Sequence, residues 1–397
     1  MRVASYPKGS AVVVQNADNR GFFYIVKSGM LQVDSEHRLN DKALSRFGPG
    51  DSFGLVSALT GHKFLVTVFA VEDAEVIELP IADFGTYLKK QPSLATSMLK
   101  LYSNELKAIH KYLAMVNPVE TRYNSPTRLP AQAEEYIALG KPDCAKKALK
   151  FYLDWSKDQP EHSQIREKAL EKYKEVENAP EADLSGNFIK LESGQVVFVE
   201  NEISRDIFVI KSGHIRLSTL ARGQELLIDT LGPGEIFGEM SFVDNGMRMA
   251  TATVVEDAEV MRFSPETLFD GMGEVILQKI FVSLARRIWF SHQRLVILRL
   301  KDPVARLFAF VYNLIRNAEI ISQSRQRKIT YTFNIGLDEL KKMCGLGKIP
   351  DVKLEAFTKD SNLELGKNSL VVKNRKQVED RISYLKTKVG QISAELV

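Results

Sequence analysis

The chain repeats itself. Residues 27–79 lie on residues 211–263 without a gap: KSGMLQV meets KSGHIRL, FGPGDSFG meets LGPGEIFG, and AVEDAEV meets VVEDAEV. Matches held in one register over such a span do not come from composition, so two copies of one fold unit must flank something else. Short alternating apolar runs at 12–14, 23–26, 196–199 and 207–210, punctuated by Gly and Pro, predict an antiparallel β-roll in each copy. With 397 residues and 44% apolar content, several such units can each bury a core. The expected class is α+β, divided at 1–118, 119–185, 186–300 and 301–397.

One stretch of the second copy, FGEMSFVDNGMRMAT at 237–251, collects groups suited to a small phosphate-bearing ligand. Gly238 admits close backbone approach, and the peptides after it can turn their N–H groups inward at the start of a short helix. Arg248 offers a permanently charged fork for phosphate oxygens, and Glu239 only accepts hydrogen bonds, which suits a sugar hydroxyl. Ala250 and Thr251 add a small side chain and a hydroxyl. A surface ion pair between Glu239 and Arg248 is the plainer alternative, and it leaves the flanking glycines unexplained.

These residues resemble the phosphate-binding cassette of the cyclic nucleotide-binding domain, F-G-E-(apolar)-(small), a loop, then R-x-A-(T/S), with Met240 and Ser241 at the apolar and small positions. The resemblance implies that Glu239 holds a ribose 2′-hydroxyl and Arg248 the cyclic phosphate. It also implies that the backbone around Gly238, Met240, Ala250 and Thr251 makes most of the remaining polar contacts. In the first copy Leu55 faces Glu239, Phe64 faces Arg248 and Val66 faces Ala250, while Gly54, Ser57 and Thr67 persist. That copy is expected to bind no ordinary cyclic mononucleotide; packing, or a greasier ligand, is what its apolar swaps suit. Lys63, one position before Phe64, is left over.

The family resemblance also implies a long helix after each roll, and 93–116 and 275–299 answer to it. The second has apolar positions at alternating spacings of four and three, Leu277, Phe281, Leu284, Ile288, Ser291, Leu295 and Leu298, which reads as a coiled-coil seam. The arrangement is similar to the cyclic-AMP receptor family, where the matching helix pairs two subunits and covers the purine. By that resemblance Ser291 and His292, after Ala285, Arg286 and Arg287, are candidates to read the base edge. The first helix has a like stripe, Leu99, Tyr102, Leu106, Ile109, Leu113 and Val116. Both a homodimer through 275–299 and an intrachain pseudo-dimer are open. Between the copies, 129–178 reads as helices, with Tyr136, Gly140, Ala145, Ala148 and Tyr152 spaced as in a tetratricopeptide-like hairpin that must dock on a neighbour.

From Asp302 onward the pattern is helix, strand, helix, helix from about 350 to 359, and hairpin, the order of a winged helix-turn-helix. Residues 302–374 resemble the DNA-binding domain of the same family, but Gly347, Lys348, Ile349 and Lys353 stand where base-reading residues are usual. Lys348, Lys353 and Lys367 can bind DNA phosphates, whereas Asp351, Glu355 and Asp360 repel them. A further helix is expected at 375–392. Residues 301–397 carry 18 Lys or Arg against 11 Asp or Glu, which places the positive excess at this end.

Nothing in the chain reads as a membrane span or secretory leader, and Cys144 and Cys344 lie far apart without metal spacing, so a cytoplasmic protein without membrane contact is expected. Phosphate-loop, nucleophile-elbow and zinc-protease motifs are missing, and the six histidines have no ligand spacing, so neither an enzyme nor a metal protein is expected. The function expected is a cyclic mononucleotide-responsive transcriptional regulator. Cyclic AMP is favoured over cyclic GMP because Met249, directly after Arg248, lacks the hydroxyl that cyclic-GMP-selective members often place there. The alternative is a cyclic nucleotide-binding signalling module that acts through protein contacts without DNA.

Overall fold

The computed structural model describes residues 1–34, 46–116, 125–221, 223–242, 246–264, 267–268, 273–322 and 328–389. The first roll comprises β1 (Arg2–Tyr6), β2 (Ala11–Val13), β3 (Phe22–Ser28), β4 (Leu31–Asp34), β5 (Arg46–Phe47), β6 (Ser52–Phe53), α1 (Leu55–Thr60), β7 (Thr67–Ala70) and β8 (Ala74–Pro80). Next come α2 (Phe84–Lys90), α3 (Pro92–Val116), α4 (Leu129–Ala138), α5 (Pro142–Trp155) and α6 (Ser163–Val176). The second roll comprises β9 (Phe188–Leu191), β10 (Val196–Phe198), β11 (Ile207–Ala221), β12 (Gln224–Leu231), β13 (Ile236–Phe237) and β14 (Thr251–Phe263). The chain continues through α7 (Glu274–Leu298), α8 (Pro303–Ser322), β15 (Tyr331–Phe333), α9 (Leu337–Met343), α10 (Glu355–Thr358), β16 (Leu363–Leu365), β17 (Leu370–Val372) and α11 (Arg375–Val389). The chain forms two compact units, 1–90 with 108–117 and 281–397, and 91–107 with 118–280. Their boundaries fall inside α3 and α7.

In the first unit the roll is two antiparallel sheets, ordered β1-β8-β3-β6 and β2-β7-β4-β5. Val26, Leu31, Phe53, Phe64, Val68 and Val76 fill the space between them. Between β3 and β4 the backbone turns at Gly29, with φ +81°, where a Cβ would sit 2.4 Å from the Asp73 carbonyl oxygen. Only glycine fits there. α7 departs from the expected seam. From Ser283 to Leu298 every residue is buried, including Arg286, Arg287, His292, Gln293 and Arg294. Buried guanidinium groups demand acceptors, and Arg286 Nη1 donates to Asn317 Oδ1 (2.9 Å) and Arg294 Nε to the Met343 carbonyl (3.3 Å). The polar residues that would mark a solvated face in a two-helix seam here bind α8 and the end of α9. β15, β17 and β16 form a three-stranded sheet, and Phe308 of α8 meets Phe357 of α10 edge to face at 5.0 Å. The helix expected over 350–359 is a 3₁₀ turn, Asp351–Leu354, followed by the single turn of α10.

In the second unit β11 and β14 run unbroken through both layers of the roll, in one sheet ordered β10-β14-β11-β12 with β13 and β9 attached. The register slips between Ile210 and Ser212 and again between Ser212 and His214, beside Gly213 at φ +79°. This bulge bends the long strand where the first roll changes strands at Gly29. α4, α5 and α6 share a core with Val196, Val199 and Leu220 of the roll, so the helical segment docks on the second copy. Cys144 lies in that core and Cys344 in the first unit, each thiol pushed up to about 12 by burial.

Candidate ligand site

The site grows from the end of β13. Gly238 follows Phe237 at φ +83°, and a Cβ there would lie 2.6 Å from Arg248 Nη1 and 2.8 Å from the Asp206 carbonyl oxygen. The backbone therefore makes room for a guanidinium. Residues Glu239–Phe242 then form one 3₁₀ turn, closed by the Ser241 hydroxyl donating to the Gly238 carbonyl at 2.7 Å. Ser241 is buried, as is Met240.

Arg248 points into the roll and is 1% exposed. Its Nη1 donates to the Gly238 carbonyl (3.0 Å) and the Ser241 hydroxyl (3.3 Å), and its Nη2 to the Ser204 hydroxyl (2.9 Å) and the Asp206 carbonyl (2.8 Å). The guanidinium carbon lies 4.1 Å from the centre of the Phe198 ring, a contact worth about 0.5–2 kcal/mol. Burial draws the guanidinium down to about 10, opposed by Glu202, Asp206 and Glu239, so it stays cationic at neutral pH. One donor is unspent, because the buried Nε makes no hydrogen bond among the described residues. Leaving such a group unsatisfied costs about 1–3 kcal/mol, and an anionic oxygen at Nε would recover it. The plain surface ion pair does not describe this arginine.

Glu239 is fully buried, and its carbonyl accepts from the Ser103 hydroxyl of α3 at 3.4 Å. Nearby on that helix Glu105 is pushed up to about 7 by burial. Thr251 is engaged by the helical segment: its Oγ1 accepts from Glu200 N (2.9 Å) and meets Tyr136 Oη at 2.5 Å. Gln132 Nε2 donates to Tyr136 Oη, and Asn201 Nδ2 to Gln132 Oε1, so a buried polar chain links α4 to the end of the cassette. Met249 and Ala250 are half-buried, and Ala250 packs on the core of the roll. Eight expected ligand residues, from Gly238 to Thr251, thus share the second unit. The loop at 243–245 lies outside the described residues.

Ser291 and His292 belong to the first unit. Ser291 Oγ lies 3.5 Å from His110 Nε2 of α3, whose ring is held down to about 3 by burial with Arg287 and Arg294 nearby. Lys348, Lys353 and Lys367 are all exposed, Lys353 on the 3₁₀ turn and Lys367 between β16 and β17. Phe198, Ser204 and Ser103 were not singled out in the sequence. Phe198 is visible there only as one apolar residue in a strand, and Ser103 comes from a helix far away in the chain.

The first roll keeps the backbone and loses the charge. Gly54 has φ +74°, and a Cβ there would meet Tyr24 at 2.8 Å and Phe64 at 3.4 Å. Phe64 fills the space in which Arg248 stands in the other copy, and Tyr24 stacks on Phe53 at 5.1 Å. Residues 3–91 and 188–274 each match the family model for the cyclic nucleotide-binding domain.

Each roll is thus similar to the cyclic nucleotide-binding domain family. Among the curated relatives of this chain, the cyclic AMP receptor protein of Thermus thermophilus is 31% identical over 126 residues, covering 31% of this chain and 58% of the relative's own length. The CRP-like cAMP-activated global transcriptional regulator of Mycobacterium tuberculosis is 24% identical over 158 residues, covering 39% of this chain and 69% of its own. A solved CRP-family transcriptional regulator from Thermus thermophilus aligns at 12% identity and a TM-score of 0.37, over 49% of this chain and 96% of its own. Among the described residues no helix is long and apolar enough to cross a membrane.

Proposed function

We propose that the protein is a transcriptional regulator whose second cyclic nucleotide-binding domain takes one cyclic mononucleotide, cyclic AMP in preference to cyclic GMP. The observation that carries this is the buried, cationic Arg248 with an unspent Nε–H inside a glycine-made recess. Arg248 holds the cyclic phosphate and Glu239 the ribose 2′-hydroxyl. The first domain, with Phe64 and Leu55 in those places, takes none. The preference for cyclic AMP is supported by Met249 and by the names of the relatives. No catalytic or metal-dependent step is assigned.

The segment from α8 to β17 is read as a winged helix-turn-helix in which Lys348, Lys353 and Lys367 bind DNA phosphates. α7 relays between cassette and winged helix, because it begins in the unit of the cassette and ends buried against α8. The ligand drives the relay only through its differential affinity for two arrangements of the chain. The contact of α7 with His110 of α3 supports pairing of the two long helices within one chain rather than a homodimer through α7. The cellular site that fits these roles is the cytoplasm.

A second function is supported by one observation. The lysines near the proposed DNA face are partly neutralised, Lys341 by Asp351 (2.6 Å) and Lys359 by Glu355 (2.8 Å), as on a surface that docks a protein instead. Selection of bound duplexes from a random library, with and without cyclic AMP, separates the two. Enrichment that depends on the nucleotide supports the regulator. No enrichment in either condition supports the protein-docking module.

A further inference from the structure

The first unit holds a cavity of about 260 Å³ that shares only His292 with the residues expected from the sequence to hold a nucleotide. Its wall comes from the loop at 61–65 of the first roll, from α7 through Trp289, and from α8 through Asn313 and Arg316. Arg316 Nη2 donates to His62 Nδ1 at 2.8 Å. A guanidinium nitrogen only donates, so Nδ1 must accept and the ring proton sits on Nε2. Burial, aided by the Arg316 charge, holds His62 down to about 3, so the ring is neutral. It also lies flat against Trp289, with centroids 4.0 Å apart. The ring is thus fixed in both place and tautomer.

Among the described residues, the Nε2 donor of His62 and the Oδ1 acceptor of Asn313, a residue 2% exposed, are buried atoms of this wall that make no hydrogen bond. Lys63 adds a cation where the second roll has Met247, and Asp18 is the acidic residue on the wall. With Arg316 and Lys63 against Asp18, the cavity carries one net positive charge. Its donors suit an anionic oxygen, and Asn313 Oδ1 suits a hydroxyl beside it.

We propose that this cavity binds a small hydroxylated monoanion, a hydroxy acid or a phosphate monoester, gripped by Arg316, Lys63 and His62, with its hydroxyl on Asn313. Because the wall joins the first roll to α8, such a ligand fixes α8 on that roll and supplies a second input to the C-terminal segment. This site shares no residue with the Arg248 cassette and stands whether or not the second roll takes a nucleotide.

The test uses the full chain with Trp155→Phe, which leaves Trp289 as the sole tryptophan, titrated with glycolate and, separately, glycerol 3-phosphate at constant ionic strength. A saturable change in Trp289 fluorescence with one of the two probes is expected, and the responding probe tells carboxylate from phosphate. Arg316→Met should weaken binding at least about tenfold, as expected for a lost charge-assisted hydrogen bond. The exposed Lys63→Ala should weaken it about threefold without disturbing the fold, and Arg248→Leu should leave it unchanged. No saturable response to either probe, the same response to chloride, or unchanged affinity in Arg316→Met or in Lys63→Ala overturns the proposal.

Discussion

The two rolls share a backbone and differ in what they enclose. Gly54 and Gly238 take the same left-handed conformation at the same step, and a Cβ would collide with a side chain of the recess in each, Tyr24 in the first and Arg248 in the second. In the first roll the occupant is Phe64, beside Tyr24 and Phe53. In the second it is Arg248, beside Phe198 and Phe208. An aromatic ring completes an apolar core. A guanidinium in the same place must be supplied with acceptors, and the chain does so with two carbonyls and two hydroxyls while one N–H is left over. On the proposed reading, this one side chain separates a packing unit from a receptor.

The largest effect expected from this contrast is on ligand affinity. Arg248→Leu makes the second recess resemble the first, and nucleotide titration should show binding weakened by about a hundredfold or more, since several charge-assisted contacts are lost together. Phe64→Leu in the first roll should leave affinity unaltered. Next come the glycines. Gly54→Ala and Gly238→Ala should each destabilise their own unit by about 1–3 kcal/mol in chemical denaturation, because each forces a strained φ. Only Gly238→Ala should also impair nucleotide binding. Equal effects of the two on binding would dissolve the distinction between the rolls.

Much of this contrast was readable from the residues. The gapless repeat, the persistent glycines and the swap of Arg248 for Phe64 are local and need no knowledge of packing. What could not be read depends on distant partners. α7 shows a clean apolar stripe, yet its other face is buried too, because Arg286 and Arg294 find acceptors on segments far along the chain. Ser291 resembles a base-reading residue in sequence, but its described neighbour is His110. Thr251 looks like ligand wall and is also the anchor of Tyr136, a contact that no periodicity in α4 announces.

That anchor gives a smaller prediction. Tyr136→Phe removes the buried hydrogen bonds to Thr251 and from Gln132 and should cost the second unit about 1–3 kcal/mol, measured by urea unfolding. The first roll has no helical segment docked in this way among its described contacts, so its stability should not change.

The units should also respond to pH in opposite senses. In the second, Glu105 is raised to about 7 and Glu200 to about 6, both chiefly by burial, so the folded unit binds protons that the unfolded chain has released. Its stability should fall as pH rises from about 4.5 to about 7. In the first, His62 and His110 are held down to about 3, so the unfolded chain takes up protons first, and stability should fall as pH drops below about 6.5. Hydrogen exchange of β3 and β11 amides at pH 5 and pH 8, corrected for intrinsic rate, separates the two. Glu105→Gln should flatten the response of β11 alone.

Calorimetric titration of the full chain with cyclic AMP, beside cyclic GMP and a cyclic dinucleotide, bears most directly on the difference between the two recesses. One cyclic AMP per chain is predicted, bound more tightly than the other two, lost in Arg248→Leu and kept in Lys63→Ala. Two molecules per chain, or undiminished affinity in Arg248→Leu, would contradict it.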